Sequence, residues 1–244
     1  MSWLHVQAAR LPWPTRVGFR CLPSRCLFCD GEGELRYIDL CADCLGTLPW
    51  ARAIEEFRQL PCGVTAHAAF DYRSPVADSL KSLKFHGDRR VAKVFGALLA
   101  AAISAAGESD TEGRPEVILP VPLHHHRHAS RGFNQSLLIA REVGRWLRLP
   151  VRRDGLIRLR ATPPQTGLHA GERRQNVAGA FLMQPRLRAD IRRAGLRRIV
   201  LIDDVLTTGS TLDAAATALL QGGVRELQCW SVARAMPTNT TSPT

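Results

Sequence analysis

The chain has 244 residues, enough to bury a full α/β core and still carry an appendage. Its apolar fraction of 45% is that of a globular protein, and no apolar run reaches the roughly 20 residues a membrane-spanning helix requires. The formal charge of +11 is unevenly placed: residues 121–200 carry seventeen Arg against four acidic residues, while the remainder is close to neutral. With 30 Arg and three Lys, the chain has the bias of a GC-rich genome, but that bias does not explain crowding into one third of the sequence. A surplus of this size suits polyanions, either a phosphorylated small molecule or nucleic acid.

The opening residues, Met1-Ser-Trp-Leu-His-Val-Gln, have neither a basic n-region nor a long apolar h-region, so a secretory signal is not expected. Residues 1–20 read as an N-terminal extension. Two Cys-x-x-Cys pairs follow, Cys26-Leu-Phe-Cys29 and Cys41-Ala-Asp-Cys44, with eleven residues between them. Gly31-Glu-Gly33 suits a turn, and residues 35–40 read as a short strand. Four thiolates on two knuckles make a closed tetrahedral site for structural Zn²⁺. A redox pair is the alternative, but two pairs this close favour one shared metal. Cys21, with four residues between it and Cys26, is a substitute ligand, whereas Cys62 and Cys229 sit in apolar contexts and read as core thiols. Cysteine used for metal rather than for a disulfide framework places the chain in the cytoplasm. Residues 21–60 therefore read as a zinc-ribbon head with a linker helix.

Residues 61–236 read as one α/β domain. A strand is predicted over 64–72. Helices are predicted over 75–83 and 91–103, the first running into Lys81-Ser-Leu-Lys84-Phe-His-Gly87. A polar loop spans 107–115. The strand 117–119 enters Pro120-Val-Pro122, then His124-His-His-Arg127-His128 and Arg131-Gly-Phe-Asn-Gln135, before an amphipathic helix ending near Leu147. The His cluster lies in a loop where adjacent residues do not converge on one metal, so anion contact is the preferred reading. A short strand over 156–159 leads into Thr162-Pro-Pro-Gln165 and a Gly- and Pro-punctuated, Arg-rich stretch up to Phe181. Strands are predicted over 199–202 and 227–232, with a helix between them ending at Leu220. Residues 237–244 are Ser/Thr/Pro-rich and read as a disordered tail. Strands alternating with helices imply an open, mostly parallel sheet, in which ligands sit outside the C-terminal strand ends. The loops after Ile118 and Ile202 should converge there.

The most specific stretch is Arg197-Arg-Ile-Val-Leu-Ile-Asp203-Asp204-Val-Leu-Thr207-Thr208-Gly209-Ser210-Thr211. A strand feeding a hydroxylic loop at a helix N-terminus is an anion cradle, because unpaired N–H groups and the helix dipole both favour phosphate. Carboxylates beside a phosphate must have another task, such as accepting from sugar hydroxyls. Sugar acceptors next to phosphate donors describe a phosphorylated ribose. The segment resembles the phosphoribosyl pyrophosphate (PRPP) loop of type I phosphoribosyltransferases.

The resemblance widens along the chain. The Cys₄ knuckles come first, then Leu119-Pro-Val-Pro-Leu123 with Arg131-Gly-Phe-Asn-Gln135. Next is Gln165-x-x-Leu168-x-x-x-Glu172-Arg-x-x-Asn176-Val-x-x-Ala180-Phe181, and last the Asp203–Gly209 stretch. In this order they look like the ComF family of competence proteins, predicted amidophosphoribosyltransferases with a zinc-ribbon head. His124-His-His departs from the family, which often has Arg or Lys there, and this bears on the pH dependence of the site. The resemblance implies PRPP binding with Mg²⁺, a role in DNA uptake during natural transformation, and contact with the uptake machinery. Asp203 and Asp204 would accept from the ribose hydroxyls and favour the positive charge that builds on the sugar. Thr207, Thr208, Gly209, Ser210 and Thr211 would hold the 5′-phosphate. Arg127 and Arg131, with Lys84 as a weaker candidate, would hold the pyrophosphate. Residues 162–176 look like the loop that closes over PRPP, with Arg173 or Arg174 reaching in as a catalytic group.

Two classes of function follow. One is a PRPP-responsive protein that handles DNA. The other is an active transferase of nucleotide metabolism or salvage that moves the phosphoribosyl group onto ammonia or a base. No base-reading motif and no N-terminal nucleophilic Cys is present, so the first is preferred and turnover is left open. The Arg surplus of residues 121–200 should bind single- or double-stranded DNA without sequence preference, and PRPP should compete in part through Arg127 and Arg131.

Overall fold

The computed structural model describes residues 24–33, 38–51, 58–107, 114–124, 129, 131–160 and 179–235. In chain order the elements are α1 (Ala42–Thr47), β1 (Arg58–Gln59), β2 (Thr65–Asp71), α2 (Val76–His86), α3 (Arg89–Ala105), β3 (Val117–Pro120) and α4 (Gln135–Leu147). There follow β4 (Leu156–Arg158), β5 (Phe181–Met183), α5 (Pro185–Ala194), β6 (Arg198–Leu206), α6 (Ser210–Gln221) and β7 (Glu226–Arg234).

Five strands form the main sheet in the order β1-β2-β7-β6-β3, all parallel except the short edge strand β1. The middle stretches of the central strands are largely apolar because both faces are covered. Their side chains alternate between the two faces there. Ile118, Val200, Ile202, Trp230 and Val232 join α2, α3 and α4 in one core, while Val117, Leu119, Ile199, Leu201 and Cys229 meet α6 and the β4–β5 ribbon in the other. The expected open, mostly parallel sheet is therefore present.

Several elements differ from the sequence reading. β6 does not stop at Ile202. Pairing with β7 continues through Asp203↔Ser231, Val205↔Ala233 and Leu206↔Arg234, so the acidic pair lies inside the strand. α2 runs three residues beyond Leu83, and Gly87 closes it in the left-handed region with its N–H on the Leu83 carbonyl. β4 leaves the main sheet and pairs antiparallel with β5. β1, β5 and α5 were not expected, and α1 falls within residues 21–60, where a linker helix was expected without bounds. The apolar signal of α5 is only Leu187 and Ile191, although Pro185 at its start and Gly195 at its end punctuate it. Of the strand expected over 35–40, residues 38–40 are described and are not strand.

The cysteine head packs on the same core as α3. Cys26, Ile38, Leu40, Leu45 and Leu48 are buried there with Phe70, Phe95 and Leu99. Phe28 meets Phe95 edge-on at 6.3 Å. The buried Asp39 carboxylate accepts from Lys93 Nζ at 3.2 Å through both oxygens.

α3 and α4 cross closely because Gly96 has no side chain. A Cβ there would lie 2.5 Å from the Glu142 Cβ and 3.1 Å from the Ile139 carbonyl oxygen. Gly96→Ala should therefore force the helices apart and cost about 1–3 kcal/mol, despite the better helix propensity of Ala. Thermal melting checks this, with Gly46→Ala, where the space is open within α1, as a control that keeps or slightly raises the melting temperature.

Candidate functional site

The parallel strands end on one edge of the sheet. Pro120 of β3 stands beside Ile202 of β6, and the Val121 N–H donates to the Ile202 carbonyl at 2.9 Å. The loops after β3 and β6 thus meet at the acidic pair.

Asp203 Oδ1 accepts from the Ser136 hydroxyl at 2.8 Å and from the Asp204 N–H at 3.0 Å. Asp204 Oδ1 accepts the N–H of Val205 at 2.9 Å. Ser136 lies in the first turn of α4, whose start is fixed by Asn134. The Asn134 side chain caps the helix at the Leu137 N–H and donates to the Val121 carbonyl at 3.0 Å. Tyr72, just beyond β2, lies within electrostatic reach of Asp204 and Lys81, and burial raises its phenol pKa.

The hydroxylic loop is ordered by its own groups. The Thr208 and Ser210 hydroxyls are 2.8 Å apart. Gly209 sits at φ 82°, where an L side chain is strained, and a Cβ there would come within 2.8 Å of Leu60 Cδ2. Arg58 donates to the Thr207 carbonyl at 2.8 Å, and the Asp213 carboxylate of α6 takes the Cys62 N–H at 2.8 Å. The β1–β2 side of the molecule therefore clamps the turn at the start of α6.

Burial, then the charge of Asp204, push the Asp203 carboxyl up to about 8; the bonds from Ser136 and the Asp204 N–H only partly offset them. The edge thus offers carboxylate acceptors on one side and hydroxyl and N–H donors on the other. Donors arriving on Asp203 would favour its charged form and release its proton.

Asp203 and Asp204 lie in β6, shortly before the turn of residues 207–211 at the start of α6. Arg131 lies three residues before the Asn134 cap, and Lys84 is near the end of α2, its Nζ 5.3 Å from the Phe85 ring centre. Phe133 lies against Gly87, which brings the end of α2 beside the Arg131–Asn134 segment. Among the described residues neither Arg131 nor Lys84 is ion-paired. His124 is buried at 4% exposure. Arg127, the other His of the cluster, Arg173, Arg174 and Cys21 lie outside the described residues. Sequence reasoning did not single out Ser136, Asn134 or Arg58. Asn134 ahead of an amphipathic helix was a readable cap; the roles of Ser136 and Arg58 arise only across the fold.

At the head, the Sγ atoms of Cys26, Cys29, Cys41 and Cys44 all lie within 4.8 Å of one another, with Cys29 and Cys41 at 3.7 Å. A tetrahedral Zn–S site with bonds near 2.3 Å separates its sulfurs by about 3.8 Å, so the cluster fits a metal such as zinc. Each pair has its own turn. Cys26 takes the first, closed by Asp30 N–H on the Cys26 carbonyl, and Cys41 caps α1 by accepting the Cys44 N–H. Burial would raise the Cys26 thiol, but backbone donors at Cys29, Phe28 and Cys41 bring it down to about 6. Burial and the neighbouring sulfurs raise Cys44 far above the ordinary thiol range. Four thiolates cannot ionise together without a cation, which the site is shaped to take. Cys229 is buried as expected, but Cys62 is only half-buried, at the turn that meets Asp213.

Fold and site define an open α/β protein with a polar edge at its strand C-termini and a four-cysteine cluster that could hold a metal such as zinc. No family model matches the chain. Competence protein F of Haemophilus influenzae is 33% identical over 211 residues, covering 86% of this chain and 84% of that protein. DNA utilization protein YhgH of Escherichia coli K12 is 33% identical over 166 residues, 68% of this chain and 70% of that protein. Competence protein ComFC of Streptococcus pneumoniae is 26% identical over 216 residues, with 86% and 87% covered. The chain belongs to the ComF family. No described helix is long and apolar enough to cross a membrane.

Protein purified without chelator should contain about one zinc per chain by metal analysis, and a strong chelator should lower its melting temperature. Less than about half an equivalent would argue against a zinc centre. A second expectation concerns pH. An acid whose pKa is raised on folding stabilises the fold below its ordinary pKa, and that contribution fades as pH rises through about 8. Asp203→Asn keeps an acceptor for Ser136 and cannot ionise. Its melting temperature relative to the parent should rise from about pH 4 and level off above about pH 8, and a pH-independent difference would contradict the raised pKa.

Proposed function

We propose that this protein binds PRPP at the C-terminal edge of its sheet through a site of type I phosphoribosyltransferase kind, and acts in DNA handling during uptake. One observation carries the first half. Asp203 and Asp204 lie near the C-terminal end of β6, whose last residue, Leu206, leads into the hydroxylic turn that opens α6. Support for the second half comes from the names of the relatives, competence protein F and DNA utilization protein, and from the Arg surplus of residues 121–200.

On this reading Asp203 and Asp204 accept from the ribose hydroxyls, and Ser136 fixes which face of Asp203 is presented. The N–H groups and hydroxyls of residues 207–211 take the 5′-phosphate at the positive end of α6. Arg131, with Arg127 beyond the described residues, neutralises the pyrophosphate, and Lys84 lies on the same side. Mg²⁺ bound with PRPP would bridge phosphate and ribose oxygens and add to charge neutralisation. The carboxylates then stabilise positive charge on the ribose, the electrostatic need of a transferase and also a means of recognising the ligand without turnover. The zinc head stabilises the helical face of the domain and takes no part in the chemistry.

Isothermal titration with PRPP and Mg²⁺ tests this reading. Among the described residues the one hydrogen bond to the Asp204 side chain comes from the Val205 N–H, so Asp204→Ala should fold. It should bind PRPP at least about tenfold more weakly, the loss of one good charge-assisted contact. Unchanged affinity would remove the assignment.

A further inference from the structure

The structure splits the Arg-rich segment between opposite ends of the sheet. Arg131 remains at the ligand edge. Some of the other Arg are neutralised: Arg152 by Asp154 and Asp190, Arg145 by Glu142, Arg198 by Glu116. A separate group is left on α5 and the turn after it. Arg186, Arg188, Arg192, Arg193 and Arg197 are all exposed, and none of their guanidinium groups is ion-paired among the described residues; Glu116 takes only the Arg197 backbone N–H. Asp190, the one acid on α5, is already taken by Arg152.

The position of this group follows from topology. α5 feeds directly into the first residues of β6, so its end lies at the N-terminal edge of the sheet. Met183, just before α5, packs against Gly222 at the far end of α6, which places the start of α5 at the same edge. Along β6, at about 3.3 Å per residue, Arg197 and Asp204 are separated by roughly 23 Å. That is more than twice the Debye length at ordinary salt, so these cations do little for an anion at the ligand edge.

The face also has a shape. Leu187 is buried, and Ile191, one turn on, also turns inward. Arg188 and Arg192 then project from one flank and Arg186 and Arg193 from the other. Between α5 and the β4–β5 ribbon runs an open depression of about 380 Å³, lined by Leu182, Met183, Pro185, Arg188, Arg192 and Arg193. Leu182 is exposed at 46%, which puts apolar surface beside the cations. Mutually repelling Arg around a shallow, half-apolar trough do nothing for the stability of an isolated domain. Their charge matches an extended polyanion.

We infer that α5 and the exposed rim of the β4–β5 ribbon bind the phosphate backbone of DNA, on a face separate from the PRPP edge. This rests on the proposed role in DNA handling. The mode is backbone contact: Phe181, the aromatic of the ribbon, is buried and covered by the Arg158 guanidinium at 5.2 Å, so no ring is offered to a base. Single and double strands should bind alike. The competition with PRPP expected from Arg127 and Arg131 is replaced by independent binding.

The test is fluorescence anisotropy of labelled single-stranded and duplex DNA over a salt series. It compares the parent, the triple variant Arg188→Gln, Arg192→Gln, Arg193→Gln, and Arg131→Gln. These are exposed or half-exposed positions, and melting curves verify that the variants fold. The triple variant should bind DNA at least about tenfold more weakly at low salt. It should also lose about two to three units of the log–log salt slope, at 0.7–0.9 per phosphate contact, while PRPP affinity measured by titration stays at the parent value. Arg131→Gln should keep its DNA affinity, and saturating PRPP with Mg²⁺ should leave DNA bound. A triple variant with the parent's DNA affinity and slope would overturn the assignment of this face and leave the DNA role standing. A parent that fails to bind DNA at low salt would remove the DNA role itself, whatever its affinity for PRPP. Displacement of DNA by PRPP, or a preference of more than tenfold for one DNA form, would overturn the separate backbone-binding face.

Discussion

Strand β6 is the element on which everything else in this molecule depends. It is paired on both sides, by β7 and β3, and covered on both faces, so Ile199 to Ile202 are almost fully buried. A strand so enclosed has one register available, since a slip of one residue would exchange its two apolar faces. Because the register is fixed, the two carboxylates that follow are held at a defined height on the sheet edge. The hydroxylic turn after them is held in turn, because β7 continues pairing up to Leu206 and Arg58 grips the Thr207 carbonyl. The polar edge is precise because the strand beneath it cannot move.

The cost of that arrangement is an acid driven into a poor environment. Asp203 is placed where burial and its neighbour both oppose ionisation, and Ser136 relieves this only in part. A structural role alone would be served better by Asn. Retaining a carboxyl there makes sense if incoming donors or cations complete its coordination. The same logic governs the head, where four sulfurs crowd within 4.8 Å and only a cation reconciles their charges.

The two charged regions of the chain are segregated by the sheet itself. The C-terminal strand ends carry the acidic pair, the hydroxylic turn and Arg131, suited to a compact phosphorylated ligand. The N-terminal end carries the exposed Arg of α5, suited to an extended one. Parallel topology makes this possible, since each crossover returns the chain to the starting edge and so gives the molecule two chemically distinct ends. The four-cysteine head occupies neither end. It packs on α3 through Cys26, Leu40 and Leu45 and is tied there by the Asp39–Lys93 ion pair.

Much of this was legible in the residues, and for local reasons. The buried strands at 64–72, 117–119, 199–202 and 227–232 announce themselves because apolar runs of that length have few alternatives. The spacing of the four Cys, and the order of acids, hydroxyls and Gly after β6, carry their chemistry in adjacent residues. The shorter elements were invisible for the same reason: β1, β5 and α5 have too little apolar periodicity of their own and exist because a neighbour completes them. Tertiary structure alone decided that Ser136 meets Asp203 across 67 residues, that Arg58 clamps a turn 149 residues away, and that the Arg surplus divides between two edges. A side chain's partner across the fold depends on register and crossing angle, and those are set by packing of whole elements, which no short window of sequence contains.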